Sequence, residues 1–284
     1  MTQLDPRWPD GCAAQTWDLE AARDYCEALL TKHAGFDPLS HALRDPKLRR
    51  EAASLYAFAR VANRFADAPE YEGTRTHALE LWEEQLERAF HGEAWHPVFV
   101  ALADTVRRFD VPITPLYDLL AGFRMDVSFG GFSTFAELRR YAMLSAAPAG
   151  RLLMHLGAER RPGCLALADD LSVALRLIDV IVDLERDVAA GRVYLPREDL
   201  IAFEVDEAAL GRPEDGATMS AARRELMHFQ VARASAWLVR ARPLLRRLET
   251  PLRDTVSSLW GHGARVVESL RREGVAAGAM LPAG

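Results

Sequence analysis

Apolar residues recur with helical spacing along nearly the whole chain. Between Asp45 and Asp67 they return every three or four positions, which is the period of one face of an α-helix. Asp45 followed by Pro46 predicts the start of that helix, because Asp caps free backbone N–H groups and Pro suits the first helical position. We find no convincing run of alternating β-branched residues that would predict a strand. The pattern therefore predicts an all-α fold.

Breaks in the pattern divide the chain into roughly ten or more helices, packed around a central space. No internal repeat or low-complexity linker interrupts them, so we predict a single domain over 1–284 with a core of roughly residues 20–272. The last break is long, and we expect one or two short helical turns within it. The breaks fall at 68–73, 91–97, 110–114, 129–133, 157–163 and 191–217. The further predicted N-caps are Thr74, Thr114, Ser133 (with Glu137 in the first turn), Thr218 and Thr250.

Composition narrows the class of protein. The chain has 284 residues, 49% of them hydrophobic and 27% charged, which is an ordinary globular balance. A formal net charge of −6 argues against a nucleic-acid binder held mainly by phosphate contacts. The widely spaced Cys12, Cys26 and Cys164 fit no zinc pattern and agree with a reducing compartment. We predict a cytoplasmic protein, since no leader segment and no run of about 18 apolar residues occurs, and a peripheral membrane contact stays compatible with this.

Three carboxylates are set into an otherwise apolar predicted helix. Asp179, Asp183 and Asp187 stand at steps of four and form a slowly winding stripe. An ionised carboxylate in apolar surroundings needs a neutralising partner. Arg176 and Arg186 lie close enough in sequence to pair with them, and a hard divalent cation such as Mg²⁺ is the other candidate. A solvated acidic edge with local arginine partners is the alternative interpretation.

A second polar stripe lies on the helix that ends at Asp67. Arg60, Asn63, Arg64 and Asp67 stand at positions i, i+3, i+4 and i+7, which is one side of a helix, and Tyr56 continues it one turn earlier. A plain solvated surface stripe explains the same pattern. No HExxH, GxSxG, P-loop or glycine-rich dinucleotide motif is present, so the sequence predicts neither a zinc hydrolase nor a nucleotide-binding enzyme.

These stripes belong to segments that resemble the squalene and phytoene synthase family. LYAFARVANRFAD at 55–67 and LRLIDVIVDLERDVAAGRVYLPREDL at 175–200 look like its two signature regions. The segments 71–112, 123–127 (FRMDV) and 145–153 (SAAPAGRLL) agree in order and spacing. Within the first of these, the HPVF sequence most resembles the hopanoid-pathway branch, the hydroxysqualene synthases. The likeness covers roughly residues 20–260.

The resemblance implies a class I isoprenoid synthase fold, an all-α helical bundle with a central cavity. Two acidic motifs across the cavity mouth would bind a prenyl diphosphate through Mg²⁺, and loss of the diphosphate would leave a carbocation. By this likeness Arg124 and Asp126 also lie near the cavity. The metal-binding residues it implies are Asp179, Asp183, Asp187, Asn63 and Asp67. The diphosphate-binding residues it implies are Arg60, Arg64, Arg151, Arg192 and Tyr194.

The first motif departs from the family pattern. Relatives carry roughly Asp-Asp-x-x-Asp, whereas this chain has Asn63, Arg64 and Asp67 at those positions. Arg64 cannot ligate a metal, although a guanidinium is a good bidentate partner for phosphate. Either Arg–phosphate contact replaces one metal site and activity survives, or ionisation is lost. Smaller departures are Asp179 for a usual Asn and Arg176 for a common Gln.

The function expected from the resemblance is conversion of presqualene diphosphate to hydroxysqualene, with Mg²⁺ and without NAD(P)H, because water quenches the cation. One alternative is a head-to-head synthase that condenses two farnesyl or geranylgeranyl diphosphates. Another is a non-catalytic homologue that binds a prenyl lipid or a protein partner. No nucleic acid is expected as a partner, and enzymes of the same pathway are candidate partners.

Overall fold

The structure is a computed structural model, and it describes residues 16–32, 45–210 and 219–273. The chain divides into two compact units, Met1–Val127 and Ser128–Gly284. Across the described ranges the regular elements are α-helices and two 3₁₀ turns, with no strand, as the hydrophobic pattern predicted. The single domain predicted for residues 1–284 stays a prediction.

In the first unit, helix α2 begins where the sequence predicted. Asp45 Oδ1 accepts a hydrogen bond from the backbone N–H of Leu48 at 2.9 Å, and Pro46 is the first helical residue. Packing contacts join α2 (Pro46–Asp67) to its neighbours α1 (Leu19–Lys32), α3 (Arg75–Phe90), α4 (Pro97–Phe109) and α5 (Thr114–Val127). The helices of this unit are α1 (Leu19–Lys32), α2 (Pro46–Asp67), α3 (Arg75–Phe90), α4 (Pro97–Phe109) and α5 (Thr114–Val127), with a 3₁₀ turn at Pro69–Tyr71.

An aromatic core holds the first unit together. The buried Trp82 ring lies 4.4 Å from that of Phe99 and 6.0 Å from that of Phe58, and its indole N–H donates to the Phe58 carbonyl. His96 is fully buried beside Trp82, and its Nδ1 accepts from the backbone N–H of Val98 at 3.2 Å. The HPVF sequence therefore supplies a histidine N-cap, a proline first turn and a core phenylalanine for α4.

In the second unit, helix α8 (Pro162–Val182) packs against α6 (Phe135–Ser145), α7 (Ala147–Leu156), α12 (Ala221–Ala241) and α13 (Leu252–Glu273). Gly150 of α7 lies so close to α8 that an added Cβ would stand 2.4 Å from Ser172 Oγ. The helices of this unit are α6 (Phe135–Ser145), α7 (Ala147–Leu156), α8 (Pro162–Val182), α9 (Leu184–Ala189), α10 (Arg197–Ala202), α11 (Glu207–Leu210), α12 (Ala221–Ala241) and α13 (Leu252–Glu273), with a 3₁₀ turn at Arg242–Arg246.

The predicted helix ends were less accurate than the helices themselves. Ser133 is not the cap of α6, because the neighbouring Thr134 forms a capping box with Glu137. Thr114 is already the first residue of α5. Thr74 precedes α3, but its hydroxyl donates to the Tyr71 carbonyl instead of capping. Thr250 accepts from the Arg253 side chain, and α13 begins two residues later, while Thr218 lies outside the described residues.

The long break at 191–217 contains the two short helices α10 and α11, as expected. The single helix predicted through the three aspartates is wrong in one respect, because it is divided at Asp183. That residue has φ −88° and ψ 4°, away from the α-helical ψ of about −42°. The i to i−4 hydrogen bonds nevertheless continue across it, from Asp183 N to Asp179 O and from Asp187 N to Asp183 O. The helix is therefore distorted at Asp183, but its hydrogen bonding is not interrupted.

Candidate functional site

At the junction of α8 and α9, two carboxylates lie beside one cation. Arg186 Nη2 lies 2.8 Å from Asp183 Oδ2 and 3.4 Å from Asp187 Oδ1. The two carboxylate side chains are 32% and 19% exposed, whereas the arginine is 72% exposed. An exposed cation thus bridges two half-buried acids. We call Asp183–Asp187 the carboxylate turn.

The charge of Asp187 is only partly compensated. Burial raises the pKa of its carboxyl group above the usual value, and the neighbouring Asp183 raises it further. Arg186 and Arg176 act in the opposite direction, since each stabilises the ionised form. Burial therefore disfavours the ionised form of Asp187, and positive charge near the carboxylate favours it.

Asp179 differs from the two acids of the carboxylate turn because it is exposed on α8. Among the described residues, no group of three or more histidine, cysteine, aspartate or glutamate side chains is arranged to hold a metal ion. The structure therefore brings together Asp183 and Asp187 but does not form a three-carboxylate cluster with Asp179.

The polypeptide leaving α9 closes back onto the carboxylate turn. Gly191, at φ 77°, adopts a left-handed conformation, and the backbone N–H of Arg192 donates to the Asp187 carbonyl at 2.8 Å. The Arg192 side chain is half-buried. The next site residue, Tyr194, is buried at 4% exposure. Arg192 and Tyr194, both predicted site residues, therefore lie directly after the carboxylate turn in the chain, but the Tyr194 side chain is packed against other residues.

Tyr194 belongs to an aromatic cluster beneath Arg176. Its ring lies 4.6 Å from that of Phe129 and 5.7 Å from that of Tyr141, and Phe132 completes the group. Arg176 lies over the Tyr141 and Tyr194 rings at 5.0 and 5.2 Å and donates to the Tyr141 hydroxyl at 2.5 Å. Because Arg176 also influences the pKa of Asp187, this cluster adjoins the carboxylate turn.

Arg176 and Tyr141 are absent from the predicted site residues. The sequence did contain a sign of Arg176, because this residue stands three positions before Asp179 and replaces a glutamine that is common in relatives. The sequence contained no such sign of Tyr141, since this residue lies on α6 and reaches the cluster only through tertiary packing. Arg151, which was predicted, forms a bidentate ion pair with Asp169, with Nε to Oδ1 and Nη2 to Oδ2 both at 2.8 Å. That pair joins α7 to α8.

The other predicted motif lies at the end of α2 in the first unit. Arg60, Arg64 and Asp67 are exposed and Asn63 is half-buried, so the polar stripe stays out of the unit's core. Arg64 donates from Nε and Nη2 to a single oxygen of Glu70, at 2.9 and 2.7 Å. The residue that departs from the family pattern is therefore held by a carboxylate in the 3₁₀ turn after α2. Arg124 of α5, which also matches the family, pairs with Glu83 of α3.

The two motifs differ in how well they suit a divalent cation. Asp183 and Asp187 already share one cation, Arg186, and they offer the hard oxygen ligands that Mg²⁺ prefers together with waters and phosphate oxygens. The first motif offers one amide oxygen from Asn63 and one carboxylate from Asp67. It adds a fixed positive charge at Arg64 that would repel a metal. The carboxylate turn fits a divalent cation, whereas the first motif fits an anion better.

In the part of the chain that the structure describes, no helix is both long enough and apolar enough to cross a bilayer.

Comparison with known proteins identifies the family. The model of the squalene/phytoene synthase family matches residues 35–278. A phytoene synthase from Arthrospira platensis is 30% identical over 81% of this chain and 77% of its own length. The crystal structure of squalene synthase HpnC from Alicyclobacillus acidocaldarius is similar with a TM-score of 0.82 and 29% identity, covering 90% of this chain and 95% of that one. A dehydrosqualene synthase crystal structure, 22% identical with a TM-score of 0.81 and covering 90% of this chain and 88% of that one, supports the same all-α isoprenoid-synthase fold. This chain is therefore a member of the squalene/phytoene synthase family of enzymes.

Proposed function

We propose that this enzyme converts presqualene diphosphate to hydroxysqualene with a divalent cation bound at the carboxylate turn. The observation that carries the proposal is the pair Asp183 and Asp187, which share one cation and include a carboxyl group whose pKa is raised by burial. Members of the family act on prenyl diphosphates and generally depend on a divalent metal. The branch within the family rests on the HPVF resemblance, and the similarity to a protein named squalene synthase HpnC supports it.

The reaction needs a leaving diphosphate and a water molecule. The carbon–oxygen bond to the diphosphate breaks, and the leaving group takes the electron pair. The cyclopropylcarbinyl cation then rearranges, and a carbon–carbon bond of the three-membered ring breaks to give an open-chain carbocation. A water oxygen bonds to that carbocation and gives up a proton, so no reductant such as NAD(P)H is consumed. Mg²⁺, when bound, would supply positive charge that helps the diphosphate to depart.

The residues of this chain would serve the reaction in three ways. Asp183 and Asp187 would hold the metal, with Asp179 as an outer carboxylate one turn earlier, on α8. Arg192 lies beside the turn and would contact the diphosphate, because a guanidinium makes short charge-assisted hydrogen bonds to phosphate oxygens. Tyr194 would offer an aromatic face to positive charge, as it already does to Arg176.

The remaining predicted residues are proposed with the contacts they already make. Arg60 and Arg64 would bind phosphate in the first motif, while Asn63 and Asp67 would offer their oxygens to a cation there. Arg151 would contact diphosphate only by giving up part of its bidentate pair with Asp169. We therefore propose that the main role of Arg151 is to position α7 against α8, and that diphosphate binding is secondary.

The test is product analysis. Purified protein is incubated with presqualene diphosphate, farnesyl diphosphate or geranylgeranyl diphosphate, each with Mg²⁺ and with EDTA, and the organic extract is identified by mass spectrometry. Hydroxysqualene formed from presqualene diphosphate only with Mg²⁺ is the expected result. A condensed C30 or C40 product from the other two substrates would assign the chain to the head-to-head synthases, in line with its phytoene synthase relatives.

A second candidate function is a non-catalytic prenyl-diphosphate binder, and the Arg64–Glu70 pair favours it. Thermal melting with substrate distinguishes it from the enzyme. A ligand present at about 100 times its dissociation constant stabilises the native state by about 2.7 kcal/mol. A melting shift with presqualene diphosphate but no product, from protein in the presence of Mg²⁺, would support the binder.

A further inference from the structure

A long segment of the second unit carries no acidic residue. Between Leu226 and Leu248 there is neither aspartate nor glutamate, although the chain as a whole has an excess of acidic over basic residues. The segment comprises most of α12 and the 3₁₀ turn that follows it. Its cationic residues are Arg233, Arg240, Arg242, Arg246 and Arg247.

Helix α12 has apolar side chains on both of its faces. The inner face packs on α8 and is buried, with Leu226, Val231 and Leu238 among its residues. The outer face exposes Phe229 to 39% and Val239 to 64%, two of the four large hydrophobic side chains that are exposed in the described ranges. The exposed residues between them are Ala232 and Ala236.

Exposed arginines lie at the C-terminal end of this face. Arg233 is not one of them, because it is mostly buried and bonded to Asp199. Arg240 is exposed, stacks over the Trp237 ring at 4.6 Å and makes an ion pair of 3.3 Å with Asp170. The 3₁₀ turn and its end add exposed cations at Arg242, Arg246 and Arg247. We call the outer face of α12 from Phe229 to Val239, with these four arginines, the α12 face.

An apolar strip bordered by arginines, with a half-buried tryptophan at the boundary, suits the interface of an anionic bilayer. Apolar side chains enter the boundary between headgroups and acyl chains, and cations pair with anionic headgroups. A second copy of the chain suits it less well. A symmetric dimer would pair this face with itself, and neither a parallel nor an antiparallel arrangement would give the arginines an acidic partner, because the segment from Leu226 to Leu248 has none. We propose that the α12 face docks the enzyme peripherally on an anionic lipid surface.

The experiment is vesicle flotation with the full chain. Vesicles of phosphatidylcholine alone are compared with vesicles that also contain phosphatidylglycerol, at low and high salt. We expect flotation only with the anionic vesicles and release by salt, because exposed charges are screened. Absence of flotation with anionic vesicles, or equal flotation with both compositions, would overturn the proposal.

Two variants separate the contributions of charge and apolar surface. Removing both Arg246 and Arg247 by substitution with Gln should weaken partition into anionic vesicles by about 30-fold, at about fivefold for each arginine near the surface. Its control, Arg88→Gln with Arg107→Gln, removes the same charge from exposed positions of the first unit. Equal weakening in the control would show a net-charge effect and contradict the assigned face.

The apolar part has a closely matched control. Phe229 and Phe90 are both 39% exposed, so Phe229→Glu and Phe90→Glu make the same chemical change at equally exposed positions. Only Phe229→Glu should reduce flotation, and both variants should melt cooperatively. Sedimentation velocity completes the test, because a wild-type dimer that Phe229→Glu dissociates would assign the face to a second copy instead.

Discussion

Two N–H groups of the Arg64 guanidinium donate to one carboxylate oxygen of Glu70. Arg64 is the residue that departs from the family's first motif, and this pair holds its side chain in place. Both side chains are 47% exposed. The pKa of Glu70 is lowered by its own backbone hydrogen bond and by Arg64. An exposed pair of this kind contributes little to stability, so a diphosphate can displace the carboxylate from the guanidinium.

We therefore predict opposite effects for the two partners on the binding of inorganic pyrophosphate. Arg64→Gln should weaken it about 10-fold, since a charge-assisted hydrogen bond is lost. Glu70→Gln should strengthen it, because the competing carboxylate is removed. Isothermal titration calorimetry without metal measures both. Arg88→Gln is the control, because Arg88 is also 47% exposed and paired with glutamates. If Glu70→Gln binds pyrophosphate no better than the wild type, the proposed competition is wrong.

Asp183→Asn should reduce product formation by at least about 100-fold, because it removes one of two carboxylates available to the metal. The circular dichroism spectrum and melting temperature should stay close to those of the wild type, since the side chain is partly exposed. Asp179→Asn is the comparison and should lose less activity, because Asp179 is exposed and outside the pair. Wild-type turnover in Asp183→Asn would refute the assignment of the carboxylate turn.

Asp187→Asn should raise the melting temperature at neutral pH without added metal. Burial raises the pKa of this carboxyl group, so its ionisation destabilises the folded state. The stability associated with the protonated group is present below the unfolded value of 3.8 and is lost as the pH rises through the higher folded value. The difference between variant and wild type should therefore shrink as the pH falls towards 3.8. Melting curves from pH 7 downwards test this, and an equal difference at every pH would contradict it.

Gly150→Ala should destabilise the second unit by about 1–3 kcal/mol, because the new methyl group would stand 2.4 Å from Ser172 Oγ. Adding Ser172→Ala removes the oxygen and should recover most of the loss. The Ser172→Ala single variant completes a double-mutant cycle in urea denaturation. Additive losses, with no recovery in the double variant, would show that the contact between α7 and α8 is not the cause.

The hydrophobic pattern was sufficient for the helical class, because a buried helix face imposes its period on the sequence wherever it packs. It also located the start of α2, where Asp45 and Pro46 act through local hydrogen bonding and a fixed φ angle. It misplaced the cap of α6 by one residue. Ser133 and Thr134 have similar capping chemistry, and only the backbone conformation decides which of them caps.

In the candidate site, too, some features could be predicted from the sequence and others depended on the tertiary structure. Its acidic residues and its family could be read from the sequence, because local spacing and motif order are one-dimensional properties. Three other features could not: the break between α8 and α9 at Asp183, the sharing of Arg186 by two carboxylates, and the Glu70 partner of Arg64. The aromatic cluster of Tyr141, Tyr194 and Phe129 beneath Arg176 comes from separate elements. Tertiary packing alone brings such groups together, and the burial it produces sets the pKa of Asp187.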